Sequence, residues 1–269
     1  MYKFSMVLGG GVPGSDEESS KVRERILRSE RENRYLRRDS DDRKVIEEVF
    51  DRSTMLAVEE LIARKDLGEL HGVVSAGKEA RVYLGEDRDK GPVAVKIYLT
   101  SASDFRKRMG YIAGDRRFGK LPSGSRQTIY LWTRKEFKNL QLADSIGVAV
   151  PKPIAFHKNV LVMEYVGVPP TPAPTFAESE VDEGDRDWAF ETIRDLWKKA
   201  KLVHADFSEF NAFKYGGRDV LFDMGSAVLS SHPQAEEYLR RDVTNMVRFF
   251  RKRGIAVEEP GEVVERITN

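Results

Sequence analysis

The sequence His204-Ala205-Asp206-Phe207-Ser208-Glu209-Phe210-Asn211 has the form H-x-D-x-x-x-x-N, and Leu221-Phe222-Asp223-Met224-Gly225 follows it with a D-x-G after a short apolar run. Asp206 and Asn211 therefore lie on one predicted loop, with Asp223 a dozen residues further on. This set suits phosphoryl transfer. Asp206 can hold and deprotonate an attacking hydroxyl, while Asn211 and Asp223 offer the oxygen ligands that Mg²⁺ prefers.

A lysine upstream completes the set. Pro92 to Tyr98 predicts a strand, in which Lys96 ends the apolar run Val93-Ala94-Val95. Alone, such a lysine is more readily an edge residue than a buried cation. In phosphoryl transfer it would contact the α and β phosphates and need an acidic partner. Glu136, in a helix predicted from about Thr128 to Ser145, is our candidate, although a surface charge pair would also explain it.

Each of these polar residues has an ordinary structural explanation when it is taken singly. Asp and Asn side chains often cap their own turns in loops. Turn capping does not explain why the lysine strand, the H-x-D-x-x-x-x-N loop and the D-x-G occur together in this order. The order of the three fragments is therefore the evidence for an active site.

A glycine-containing segment precedes the lysine strand. Gly72-Val73-Val74-Ser75-Ala76-Gly77-Lys78 matches G-x-x-x-x-G-K, but a P-loop requires Ser or Thr next and then a helix. An acidic residue follows instead, and Ala80 to Leu84 alternates as a strand. We therefore predict a strand-loop-strand lid over the nucleotide phosphates, with contacts from Ser75, Gly77 and Lys78.

The segment Val162-Met163-Glu164-Tyr165-Val166-Gly167 predicts an apolar strand that runs into a joint. In a two-lobed nucleotide enzyme, the backbone of such a joint meets the adenine. Met163, Glu164 and Val166 are therefore candidate contacts. An ordinary buried strand with an exposed glutamate would give the same pattern, and this segment alone does not decide between the two.

The composition limits the alternatives. A chain of 269 residues can form one two-lobed domain or two small ones. The absence of cysteine excludes disulfide frameworks, thiol nucleophiles and Cys-ligated zinc, and it fits a cytoplasmic protein. With 45 basic and 44 acidic residues, the net charge of +1 gives no global argument for nucleic-acid binding. No apolar stretch reaches the roughly 20 residues that span a bilayer, so we expect no membrane partner.

Together the motifs resemble the RIO-type atypical serine/threonine protein kinases, most closely their type-one branch, over roughly residues 40 to 253. The segments that carry the resemblance are Ser75-Ala76-Gly77-Lys78-Glu79-Ala80, Lys96-Ile97-Tyr98, Thr100-Ser101-Ala102-Ser103-Asp104-Phe105-Arg106, Gly114-Asp115-Arg116-Arg117-Phe118, Lys135-Glu136-Phe137-Lys138-Asn139-Leu140, Met163-Glu164-Tyr165-Val166-Gly167, His204 to Asn211, and Asp223-Met224-Gly225. The lid and the 100 to 118 segment favour the type-one branch over the type-two branch with its winged-helix front domain.

The resemblance implies an α+β, two-lobed protein-kinase-like fold. Its N-lobe would be an antiparallel sheet and its C-lobe mainly helical, without a full activation segment or substrate-binding subdomain. We expect the following organisation along the chain. Residues 1–40 form a flexible, charged segment; 41–163 hold N-terminal helices and the N-lobe, with a flexible insertion at 100–126; 164–255 hold the hinge and C-lobe; and 256–269 form an acidic tail.

The resemblance also implies ATP with Mg²⁺ or Mn²⁺, serine autophosphorylation, and a switch role in maturing the small ribosomal subunit, with its RNA and proteins as partners. In this family the main turnover can be ATP hydrolysis, in which Asp223 transiently carries the phosphate. This sequence departs from the usual family residues at five positions, which are Ala76, Arg81, Phe207, Phe210 and Met224. These departures bear on nucleotide affinity rather than on the chemistry.

Two other functions share parts of this pattern. A small-molecule phosphotransferase of the aminoglycoside type has the same H-x-D-x-x-x-x-N and D-x-G, but the 100–126 segment and the small C-lobe disfavour it. A catalytically weak ribosome-assembly binding module is disfavoured because all four key polar residues are present.

RNA contact is a hypothesis from local charge. The basic residues concerned are Arg106, Lys107, Arg108, Arg116, Arg117, Arg240, Arg241, Arg248, Arg251, Lys252 and Arg253. Such clusters can bind phosphates, and a solvated charged face explains them equally well.

Overall fold

The computed structural model describes residues 51–100, 108–119 and 124–269. The predicted segment 1–40 and the first ten residues of the predicted unit 41–163 lie outside the described residues. The helices are α1 (Arg52–Ala63), α2 (Met109–Ile112), α3 (Ser125–Ser145), α4 (Glu183–Asp195), α5 (Ala235–Lys252) and α6 (Pro260–Thr268). The strands are β1 (Glu69–Ala76), β2 (Ala80–Glu86), β3 (Pro92–Tyr98), β4 (Pro153–His157), β5 (Val160–Glu164), β6 (Gly167–Val168), β7 (Thr171–Pro172), β8 (Leu202–Val203), β9 (Ala212–Tyr215), β10 (Arg218–Leu221) and β11 (Val228–Leu229).

The N-lobe is a five-stranded antiparallel sheet in the order β1-β2-β3-β5-β4. Side chains alternate between its faces. On β3, Val93, Val95 and Ile97 are buried with apolar residues of α1, whereas Ala94 and Lys96 point to the opposite face. One face of the sheet is therefore a packed core, and the other is left to form the site.

Helix α1 covers the core face of that sheet. It begins after Asp51, whose carboxylate accepts a hydrogen bond from the Thr54 backbone N–H at 2.8 Å and so caps the helix. Its buried residues Met55, Val58 and Leu61 recur at helical spacing and pack against the sheet.

Helix α3 lies between the lobes. Its 21 residues bury a mixed stripe rather than an apolar one. Trp132 and Ile129 pack with Tyr98 and Ile112, while Lys135 and Glu136 are also buried. A charged residue is buried only when it is paired, so this stripe marks where the polar site lies.

The C-lobe is built around α4 and α5, with short hairpins at its upper surface. Its core contains Phe190 and Ile193 of α4 and Leu239, Met246 and Phe250 of α5. Among the described residues, no helix is both long and apolar enough to cross a membrane.

The expectation of an acidic tail at 256–269 is wrong for most of that range. Residues Pro260–Thr268 form helix α6, which begins with a proline and a capping box between Glu259 and Glu262. Val263, Val264 and Ile267 are buried in the C-lobe core. The acidic residues face solvent, and three apolar residues at helical spacing attach the segment to the fold.

Candidate active site

Lys96 stands at the centre of the polar site. Its side chain is buried, with a residue exposure of 8%. The Lys96 Nζ lies 2.8 Å from Glu136 Oε1 on α3 and 3.0 Å from Asp223 Oδ1 at the end of the β10 segment. Lys96 is therefore a buried cation rather than an edge residue, and it connects the sheet, α3 and the C-lobe.

The opposite charges of Lys96 and Asp223 each favour the ionised form of the other. Burial opposes the charged ammonium of Lys96, but the carboxylates of Asp223 and Glu136 outweigh it and raise the pKa of Lys96 well above its usual range. Burial by itself would raise the pKa of Asp223, and the Lys96 ammonium reverses this and lowers it. A carboxylate and an ammonium are thus both present at neutral pH.

Tyr98 is a member of this group that the sequence analysis missed. Its hydroxyl donates a hydrogen bond to Glu136 Oε2, and its ring lies 5.1 Å from the Lys96 Nζ. Both oxygens of Glu136 are thereby held. The signal was available, because residues two apart on a strand share a face.

The catalytic loop brings Asp206 and Asn211 together. The Asn211 Nδ2 donates to the Asp206 backbone carbonyl at 2.8 Å and lies 3.4 Å from the Asp206 carboxylate. Asp206 is exposed to solvent, yet the protein around it and the nearby Asp223 carboxylate both raise its pKa. A carboxylate with a raised pKa accepts a proton more readily, as a general base must.

Asp242 of α5, which the sequence analysis also missed, holds this loop through hydrogen bonds to the loop backbone. Its carboxylate accepts the backbone N–H of Ala205 at 2.7 Å and of Phe207 at 3.0 Å. Burial raises the pKa of Asp242 to about 8, and the two N–H donors act in the opposite direction. Ala205 has a positive φ of 64°, a strained conformation for a residue with a side chain. The Asp242 bonds flank this residue and stabilise the turn.

His204 connects the catalytic loop to the Asp223 segment. It is 1% exposed, and its Nε2 donates to the Phe222 carbonyl at 3.0 Å. Asp223 itself has φ 59° and ψ 57°, the left-handed region that residues other than glycine rarely occupy. The His204 bond therefore fixes the peptide just before a strained residue.

The predicted lid forms a hairpin between β1 and β2. Ser75, Gly77 and Lys78 lie exposed at its tip. The Gly77 N–H donates to the Ala80 carbonyl at 3.0 Å, which closes the turn. Glu79 next to it pairs with Arg108. No helix follows this glycine loop, in agreement with the rejection of a P-loop.

The residues predicted at the joint occupy different environments. Met163 packs with Leu84 and Ala94 on the site-facing side of the sheet. The Glu164 carboxylate lies 2.5 Å from the Arg218 guanidinium, so its side chain is already paired. Val166 is buried, and its carbonyl accepts the Ala173 N–H at 2.9 Å.

The apolar cluster around Met163 is a further part of the site that sequence reasoning missed. Its other members are Val74, Val82, Leu84, Ala94 and Tyr165. Val82 pairs in register with Lys96, and Ala94 with Met163. The cluster therefore lies beside the Lys96 group on the same face, where a flat aromatic base can pack. Strand alternation was the signal that could have found these residues.

Comparison with known proteins identifies the family. The RIO domain family matches residues 81–262. A RIO-type serine/threonine-protein kinase Rio1 of Haloferax volcanii is 42% identical over 89% of this chain and 83% of its own length. The chain belongs to the RIO1 family. The Methanocaldococcus jannaschii Rio1 is 36% identical over 84% of this chain and 77% of its own, and human RIO1 is 33% identical over 95% and 46%.

Membership of the RIO1 family confirms the predicted resemblance and makes the chain an atypical serine/threonine kinase. It also disfavours the aminoglycoside-type phosphotransferase. Solved structures agree on the fold. The Rio2 kinase of Chaetomium thermophilum superposes with a TM-score of 0.62 at 22% identity, over 93% of this chain and 77% of that one. Its ADP/Mg²⁺-phosphoaspartate complex gives the same TM-score at 24% identity, over 78% and 65%. The two-lobed α+β fold is thereby confirmed.

Proposed function

We propose that this RIO1-family kinase transfers the γ-phosphate of ATP in a Mg²⁺-dependent reaction centred on Lys96, Asp206, Asn211 and Asp223. The observation that carries the proposal is the Lys96 ammonium within 3.0 Å of both Glu136 and Asp223. This arrangement holds a cation beside the residue that would hold the metal. Phosphoryl transfer depends on such positioning and charge neutralisation rather than on covalent work by the protein.

The donor set fits a magnesium nucleotide. Asn211 and Asp223 supply an amide oxygen and a carboxylate, the hard ligands that Mg²⁺ takes, and Mn²⁺ accepts the same set. Lys96 would contact the α and β phosphates, and the lid residues Ser75, Gly77 and Lys78 would cover them. The metal, when bound, neutralises charge on the phosphates.

The adenine base of ATP would lie against the apolar cluster around Met163 and the joint that follows it. Met163 would pack on the adenine. The backbones of Glu164 and Val166 would meet its edge, because the Glu164 side chain is already paired with Arg218.

Two acceptors are available for the phosphoryl group. For a serine acceptor, Asp206 takes the hydroxyl proton while the oxygen bonds to the γ-phosphorus and ADP leaves. For hydrolysis, a carboxylate oxygen of Asp223 bonds to the γ-phosphorus as the bond to the β–γ bridging oxygen breaks. Water then cleaves the acyl phosphate. A relative of the same fold has been solved as an ADP/Mg²⁺-phosphoaspartate complex, which supports the second route.

The test measures Mg²⁺-dependent ATP turnover and retained label from γ-³²P-ATP. We expect Lys96→Met and Asp206→Asn each to lower turnover by about 10²-fold or more, with Lys138→Met on the exposed face of α3 as the matched control. Label lost on hydroxylamine treatment, and absent from Asp223→Asn, identifies the acyl phosphate. Hydroxylamine-stable label identifies serine. A wild-type chain without Mg²⁺-dependent turnover contradicts the proposal.

We further propose that the kinase acts in the cytoplasm on precursors of the small ribosomal subunit. The family resemblance supports this role. Of the basic residues suggested for RNA contact, Arg117 is held by Asp115 at 2.6 Å and Arg241 by the Ala205 carbonyl. Arg240 and Arg248 remain exposed on α5. Reversing both charges should weaken co-sedimentation with small-subunit precursors at moderate salt, and unchanged co-sedimentation would refute the contact.

A further inference from the structure

Two polar residues on the inward face of α3 hold the chain that follows Asp223. Lys135 and Asn139, one turn apart, are each 0% exposed. The Lys135 Nζ donates to the Gly225 carbonyl at 2.7 Å and to the Ala227 carbonyl at 2.5 Å. The Asn139 Nδ2 donates to the Met224 and Ala227 carbonyls, both at 2.8 Å. We call these four bonds the Lys135–Asn139 clamp.

The clamped segment also has no room to move toward α3. At Gly225, an added Cβ would lie 2.8 Å from the Trp132 Nε1 and 3.1 Å from two ring carbons. The loop backbone therefore touches the indole of Trp132 on the same helix. The contact of Gly225 with the Trp132 indole and the four hydrogen bonds together hold the segment 224–227 against α3.

The clamp provides hydrogen-bond acceptors for a fully buried lysine side chain. A buried ammonium is stable only when its protons are hydrogen-bonded, and burial lowers the pKa of Lys135 to about 7. The loop in turn needs hydrogen-bond donors, since a short turn leaves carbonyl oxygens that helix or sheet bonds do not satisfy. Helix and loop thus satisfy each other's polar groups.

The position of the clamp relates it to the site. Lys135 is the residue before Glu136, and the clamped carbonyls begin at the residue after Asp223. Glu136 and Asp223 are the two carboxylates that hold the Lys96 Nζ. A shift of α3 that withdrew Glu136 would therefore pull on the loop that carries Asp223.

We propose that Lys135 and Asn139 are positioning residues that lock Glu136 and the metal-holding Asp223 together as one unit. This inference rests on the proposed function, because it assigns the clamp to the presentation of Asp223 to magnesium. Orientation of Asp223 is then set within the fold, by α3. The helix and the loop move together or not at all.

The experiment compares Lys135→Met and Asn139→Leu with wild type. Methionine keeps the apolar stem and removes the donor, and Lys138→Met is the exposed control on the same helix. We expect the Mg²⁺ concentration for half-maximal ATP turnover to rise by roughly 10- to 100-fold in both clamp variants, the usual cost of removing a residue that orients a metal ligand. Lys138→Met should match wild type.

A second control separates positioning from lost stability. Val264→Ala removes buried volume in α6, far from the site in the C-lobe core. It should lower the melting temperature without moving the Mg²⁺ dependence. If Val264→Ala and Lys135→Met shift the Mg²⁺ dependence equally, or if neither clamp variant shifts it, the clamp has no positioning role.

Hydrogen exchange gives a readout that does not need activity. In Lys135→Met, amides of residues 224–229 should exchange faster while those of 193–200 stay unchanged. Unchanged exchange in 224–229 would overturn the clamp. If the wild-type chain turns over no ATP, the proposed function fails, and hydrogen exchange still decides whether α3 holds the loop.

Discussion

At the residue scale, the site is defined by charged side chains that have specific partners. The Lys96 ammonium pairs with the carboxylates of Glu136 and Asp223. Asp206 instead has a raised pKa beside the negative charge of Asp223. Asp206 and Asp223 thus differ in their readiness to take a proton, which fits their proposed roles as base and metal ligand.

Protonation of His204 is one specific cause of lost stability at low pH. Burial lowers its pKa from 6.5 to about 4, against the opposing effects of the Phe222 carbonyl and Asp223. Between these values the unfolded chain binds a proton that the folded chain does not. The His204 contribution to the free energy of unfolding should therefore fall as pH drops from about 6.5 to 4, by an amount on the order of 3 kcal/mol, while Asp242, whose pKa burial raises to about 8, acts in the opposite direction over the same range. Above pH 6.5 this contribution is fully present.

Urea denaturation across pH 4 to 7 measures this slope. The free energy of unfolding of the wild type minus that of His204→Gln should fall by this amount across the window, because the Asp242 contribution is common to both proteins. A difference that does not change with pH would mean that His204 does not titrate differently in the folded and unfolded chains.

At the element scale, α3 and α6 are stabilised in different ways. Helix α3 buries a polar stripe whose partners come from β3 and the loop 224–227. Helix α6 is short and attaches through the buried side chains of Val263, Val264 and Ile267, and the Lys198 Nζ donates to its Thr268 carbonyl at 2.8 Å. A nine-residue helix is marginal by itself, so its stability comes from this packing.

Ile267→Ala should therefore destabilise the protein by about 2–4 kcal/mol, since it removes a side chain that is 1% exposed. Glu265→Ala, on the exposed face of the same helix, should change stability by less than about 0.5 kcal/mol. Chemical denaturation of both variants measures the difference. Equal effects would mean that α6 is not anchored by its apolar face.

At the scale of the whole molecule, residues 108–119 join the lobes. Arg108 pairs with Glu79 of the lid, while His232 beside α5 donates to the Ala113 carbonyl at 2.8 Å. Tyr111 stacks on Tyr238 with ring centroids 5.2 Å apart. The N-lobe and C-lobe are thus connected on the open side of the site as well as at the joint.

We expect the two lobes to unfold in one cooperative transition. Trp132 reports on α3, and Trp188 and Trp197 on the C-lobe, so tryptophan fluorescence and far-UV circular dichroism should give coincident thermal midpoints. Tyr111→Ala removes aromatic packing and should lower the midpoint by several degrees. Two separated transitions in the wild-type protein would contradict this coupling.

The sequence by itself determined the family and the two-lobed fold, and it predicted the four site residues Lys96, Asp206, Asn211 and Asp223, because phosphoryl transfer needs fixed residue types in a fixed order. It also indicated the strands, because the alternation of apolar and polar residues along a strand is visible in a short stretch of sequence. It did not reveal the partners Tyr98, Asp242, Lys135 and Asn139, whose contacts join residues 35 to 92 positions apart. Nor did it reveal that α6 is packed. A buried polar residue looks like a surface residue in sequence, since burial and pairing exist only once distant segments meet.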